Sequence, residues 1–181
     1  MWIEVLESRC LMSVSPLLHS EVASGASLNL AQITSLSNNR MHSVHLNGAN
    51  EVPARDTQAQ GQFLYRISRD GTQISFKLIV ANIDNVVAAH IHLGGPTVIG
   101  PIVVPLMADR PAGGGPSNGV LSTGTITAAD LTGPLAGQPL SALIAAIRAG
   151  NTYVNVHTND GVGDPNTGPG DFPGGEIRAT L

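Results

Sequence analysis

The chain reads as an all-β protein, mainly antiparallel, built as a sandwich or barrel with one short helix. Three observations carry this. Phe63, Tyr65 and Ile67 alternate with Gln62, Leu64 and Arg66, and beyond Asp70-Gly71 a second run sets Ile74, Phe76, Leu78 and Val80 against Ser75, Lys77 and Ile79. Two period-two runs around an Asp-Gly pair predict a β-hairpin. Further strand-like runs fall at 86–93, 101–107, 119–126, 152–158 and 175–181, most of them separated by turns such as Gly94-Gly95-Pro96. One segment departs from this pattern. Leu140, Leu143, Ile144 and Ile147 recur at helical spacing before Gly150, which predicts a helix over 139–149.

The chain has 181 residues, which fits one domain plus a tail. Residues 14–40 are rich in Ser, Asn, Ala and Leu without a clear period, and the alternating pattern begins at Met41. The expected division is a leader and linker over 1–40 and a folded domain over 41–181. No internal repeat is visible.

Hydrophobic residues make up 42% of the chain, enough for a core, but aromatics only 3%, so that core must be aliphatic. Charged residues are 12%, about half the usual share of roughly 25%. The net charge is −4 with no basic stretch, which argues against a nucleic-acid partner. No apolar run approaches the roughly 18 residues of a membrane-spanning helix. The single Cys10 lies in the N-terminal segment, so the body of the chain has neither a disulfide, a cysteine zinc site nor a cysteine nucleophile. There is no Gly-x-Ser-x-Gly elbow and no glycine-rich phosphate loop.

The chemistry resides in three histidines. His90 and His92 flank Ile91, and His157 closes the run Tyr153-Val154-Asn155-Val156-His157. Alternate residues of a strand share a face. His90 and His92 therefore point one way, and Tyr153, Asn155 and His157 share one face of their strand. If the two strands meet, three imidazoles converge, a set suited to copper or zinc. The competing reading is that the histidines only bond across the sheet. Candidates for a fourth ligand or an orienting partner are Asn155, Glu51, Glu176, Arg178 and His45. Of these, Asn155 also reads as an ordinary sheet amide, and Arg178 as a structural ion-pair partner of Glu51 or Glu176. Nothing else resembles a sugar cleft, so the two glutamates do not indicate a glycosidase. The stretch from Asn159 to Asp171 is rich in oxygen ligands, but its spacing is not that of an EF-hand, and it reads as a plain loop roofing whatever forms at His157.

Taken in order, these segments resemble the CHRD (chordin) domain. Leu46-Asn47-Gly48-Ala49-Asn50-Glu51-Val52-Pro53, then Thr57 and Gly61, match its opening. Ala88-Ala89-His90-Ile91-His92-Leu93-Gly94 and Gly100-Pro101-Ile102-Val103-Val104 match its centre. Tyr153-Val154-Asn155-Val156-His157-Thr158 and Gly175-Glu176-Ile177-Arg178 match its close. The resemblance covers about 42–181 and implies a Greek-key sandwich or barrel. It also implies a secreted or cell-surface protein, because such domains occur mostly in exported proteins. Leu6-Glu7-Ser8-Arg9-Cys10-Leu11-Met12-Ser13 is similar to a short leader of exported bacterial surface proteins. The order of the His-x-His strand, the Val-x-Val-His strand and the closing Gly-x-x-Arg strand is similar to copper–zinc superoxide dismutase, an analogy of motif order alone. The leading expectation is an exported, non-catalytic binding domain whose three histidines hold copper, with zinc as the other metal. The alternatives are an adhesion or protein-interaction module with structural histidines, its partner unspecified, and a superoxide dismutase-like copper enzyme with Arg178 as guiding charge.

Overall fold

The computed structural model describes residues 39–181, together with Leu30. The leader motif and Cys10 lie outside the described residues, as does most of the expected linker.

Eight strands follow the predicted order. They are β1 Met41–Asn47, β2 Gln60–Ile67, β3 Ile74–Asp84, β4 Val86–Leu93, β5 Ile102–Pro105, β6 Pro116–Ile126, β7 Thr152–Thr158 and β8 Ile177–Thr180. The one α-helix among the described residues, α1, is Leu140–Arg148. Its Leu140, Leu143, Ile144 and Ile147 are buried, as their spacing predicts. The chain leaves the helix through Gly150 at φ +63°, a left-handed position that suits glycine.

All eight strands belong to one sheet, ordered β5-β4-β7-β8-β1-β2-β3-β6, and each neighbouring pair is antiparallel. The sheet curls into a nearly closed barrel. Its two edges approach where the Ser122 hydroxyl donates to the carbonyl of Leu106, just past β5. The β2–β3 hairpin forms as expected, with Ile67 opposite Ile74. Its connection is six residues long, over 68–73, and side chains hold it: Asp70 Oδ1 accepts from the Thr72 amide at 3.1 Å, and Ser68 Oγ from the Gln73 amide at 3.0 Å.

Inward side chains form one core. Phe63, Leu78, Ile91, Val104, Val154 and Ile177 meet inside the barrel, and α1 adds Leu143 and Ile147. With few aromatics available, Val, Ile and Leu do most of the filling. Two pairings between strands distant in sequence place the site. β4 lies against β7, and β8 joins β7 to β1. Loops cover the outer face of this region. As a result all seven residues of β7 are buried, and the outward side chains of β4, β7 and β8 form a polar layer between sheet and loops. No helix among the described residues is long and apolar enough to cross a membrane.

Candidate metal centre

Strand register builds the cluster. Along β4 and β7, Ala88 faces His157, His90 faces Asn155 and His92 faces Tyr153. Directly opposite residues share a face, so His90, His92, Tyr153, Asn155 and His157 all lie on the outer, loop-covered side. The β8 register adds Arg178 opposite Asn155. Ile91, Val154 and Val156 point into the core.

His90, His92 and His157 each offer a nitrogen, and the three atoms lie within 4.8 Å of one another. His90 Nδ1 is 3.1 Å from His157 Nε2. Two nitrogens bound to one tetrahedral metal ion sit about 3.3 Å apart, given bonds of about 2.0 Å. The His90–His157 pair is therefore already close to ligating separation.

Backbone carbonyls set the tautomers. His92 Nδ1 donates to Gly100 O at 2.8 Å, and His157 Nδ1 donates to Pro173 O at 2.8 Å. Each bond leaves Nε2 as the lone-pair nitrogen, the arrangement in which metal-binding histidines are usually held. His92 Nε2 is buried without a hydrogen-bond partner. A stranded buried acceptor is costly unless something binds it. Since His157 Nε2 is a lone pair, the proton between it and His90 belongs to His90 Nδ1, and ligation through that nitrogen would need the proton to move to His90 Nε2.

All three imidazoles are kept neutral. Burial lowers the pKa of His90 and of His92, and drives that of His157 down to about 4. Neutral imidazole is the ligating form.

The remaining candidates surround the cluster. Tyr153 stacks on His92 with ring centroids 4.8 Å apart and 7° between planes. The Arg178 guanidinium carbon lies 3.3 Å from the Tyr153 ring centroid on the sheet's next strand, a cation–π contact. Arg178 Nη2 donates to the carbonyls of Gly95 and Val98, at 2.8 and 2.9 Å. Arg178 is 1% exposed, so its charge is spent inside the protein, on the loop over β4. The expected ion pair with Glu176 does not form. Glu176 instead accepts from Thr57 Oγ1 at 2.6 Å, Thr158 Oγ1 at 2.7 Å and the Gly170 amide at 2.9 Å. It precedes β8, and its partners lie in the loops and at the end of β7. Glu51 is buried beside Asn155 and Arg178, and burial outweighs the attraction of Arg178 to raise its pKa to about 7. Asn155 is 2% exposed, with its Oδ1 unpartnered. His45 sits on β1 opposite Gln62 and is exposed, outside the three-histidine group. In the 159–171 loop, the oxygens expected to be turn-forming cap backbone amides: Asp160 Oδ1 takes Val162 N at 2.8 Å and Asp171 Oδ2 takes Thr167 N at 3.0 Å.

Sequence reasoning did not assign roles to Tyr153, Gly100 or Pro173. Tyr153 shares the parity of His157 and was legible on that ground. The two carbonyls carry no side-chain signal. Gly100 is required because a Cβ there would overlap the Leu93 carbonyl oxygen. Its amide also donates to the Tyr153 hydroxyl at 3.0 Å. Gly100→Ala is expected to cost about 2–4 kcal/mol, the scale of a buried steric clash with a lost hydrogen bond, and to weaken metal binding by releasing His92. Urea unfolding beside a copper titration of the same variant checks both.

The family model of the CHRD domain matches residues 42–164. No curated protein and no solved structure matches the chain. The matched span stops before β8, although β8 completes the sheet between β7 and β1 and carries Arg178 into the polar layer.

Proposed function

This chain belongs to the CHRD domain family, and from that premise we propose that it is an exported, non-catalytic binding domain whose His90, His92 and His157 hold one transition-metal ion, copper in preference to zinc. The observation that carries this is the convergence of three imidazoles with nitrogens within 4.8 Å, the rings of His92 and His157 oriented by carbonyls and His92 Nε2 left without a partner. Three uncharged nitrogen ligands favour copper and zinc, and copper stands highest in the divalent affinity order. The residues divide the work. Gly100 and Pro173 fix the rings, Tyr153 stacks behind His92, and burial keeps protons off. Export is supported by the leader-like segment at residues 6–13 and by the family.

The superoxide dismutase reading needs a positive charge that guides an anion from solvent. Arg178 is too deeply buried for that role. Copper-loaded protein should therefore turn over superoxide no faster than an equal amount of free copper; a large excess over free copper would return the enzyme reading. One observation favours the interaction-module reading: Val98 and Ile99, on the loop above the histidines, are 50% and 74% exposed.

His90 is the least buried of the three and gives the cleanest test. His90→Ala should keep the native far-ultraviolet spectrum and lose at least about tenfold in copper affinity by calorimetric titration, since removing one ligand exceeds the tenfold or more typical of a supporting residue. Unchanged affinity would remove His90 from the site.

A further inference from the structure

Beyond the three histidines, we infer that Asp109 is the fourth ligand, so that the bound ion sits in a three-nitrogen, one-oxygen site; this rests on reading the histidines as a metal site.

Backbone geometry places the residue. After β5, the chain keeps running beside β4. The Leu106 amide donates to Ala89 O at 2.9 Å, and the Arg110 amide donates to Val87 O at 2.8 Å. Asp109 is thereby held level with Ala88, the residue opposite His157 and two before His90. Ala88 contributes only a methyl group to that face, which leaves room above it. Asp109, His90 and His157 line one open cleft with Ala88 and Arg110. His92 closes the cluster from the buried side, so the cleft is the route by which an ion arrives and the direction in which its fourth position faces.

Charge points the same way. Asp109 lines the same cleft as His90 and His157, on its open side. A divalent ion among three neutral imidazoles brings two positive charges into a partly buried site, and Asp109 is the carboxylate on the open side that can offset one of them. Carboxylate oxygen is an ordinary fourth ligand for zinc at about 2.0–2.2 Å. Asp109 is exposed, so its side chain can turn inward without unpacking the core. Glu51 and Glu176 lie among the covering loops, and His45 on β1.

The test uses cobalt(II) alone as the probe, with the full chain, Asp109→Asn, Asp109→Glu and His92→Ala. Cobalt reports coordination through its visible absorption. The parent should bind one cobalt ion with the intense bands of a four-coordinate site. Asp109→Asn should lose about tenfold or more in affinity and shift those bands, Asp109→Glu should recover most of the affinity, and both should unfold at the parent's urea midpoint without metal. An Asp109→Asn protein that matches the parent in affinity and spectrum, while His92→Ala loses binding, would overturn the Asp109 assignment and leave the histidine site standing. Parent and His92→Ala that both fail to bind would overturn the histidine site, and with it this inference.

Discussion

Glu176→Ala is expected to remove about 4 kcal/mol of stability, a quarter or more of what a domain usually has. The carboxylate is fully buried. It accepts three hydrogen bonds, from Thr57, Thr158 and the Gly170 amide. Alanine leaves two hydroxyls and one amide without their acceptor in a place water does not reach, and each stranded donor costs about 1–3 kcal/mol. These bonds also join three parts of the fold: the segment after β1, the end of β7 and the loop carrying Pro173. The variant should therefore hold His157 less firmly as well. Urea unfolding by circular dichroism measures the loss. A change below about 1 kcal/mol would mean that the loops are fixed some other way.

Glu51→Gln should act in the opposite direction. Burial raises the Glu51 pKa from 4.5 to about 7. The folded state then holds a proton that the unfolded state has already released, so stability falls as pH rises from 4.5 to 7. At about 1.4 kcal/mol for each tenfold difference in proton affinity, the ionised carboxylate costs the native state about 3 kcal/mol above pH 7. Glutamine keeps the shape of the neutral acid. The metal-free variant should match the parent at pH 4 and exceed it by about 3 kcal/mol at pH 8. His157 contributes the reverse slope. Its pKa falls from 6.5 to about 4 on folding, so the unfolded state binds more protons between those values, and stability is lost as pH drops through them. In the parent the two slopes oppose each other between pH 4.5 and 6.5, and in Glu51→Gln the histidine slope stands uncovered. Unfolding curves of both proteins across pH 4–8, with a chelator present, separate the two. A parent more stable than the variant at pH 8 would contradict a Glu51 carboxylate whose burial outweighs the attraction of Arg178.

Strand parity and turn chemistry made most of this fold legible. The alternation around Asp70-Gly71 located β2 and β3, and the Leu140–Ile147 stripe located α1. The same parity rule put His90 with His92 and Asn155 with His157. Parity says which side chains share a face of one strand, but it does not say which strands are neighbours. The β4–β7 pairing brings together His90 and His157, 67 positions apart, and no local pattern encodes it. Here the motif resemblance supplied what periodicity lacked. The sequence left both Glu51 and Glu176 open as partners of Arg178. The covering loops supply hydroxyls to Glu176 and carbonyls to Arg178, and Glu51 is the acid whose charge acts on the guanidinium. Asp109 carried no signal at all, because it lies in an irregular segment whose path is fixed by two backbone hydrogen bonds to β4.

Metal content shows whether His90, His92 and His157 together hold one ion. The full chain and its triple variant, with His90, His92 and His157 all changed to Ala, would be incubated with copper and zinc, dialysed extensively and analysed by mass spectrometry for metal per chain. About one copper ion per parent chain is expected, and none in the variant. No retained metal in either protein, or equal metal in both, would contradict a shared site and return the histidines to a purely structural role.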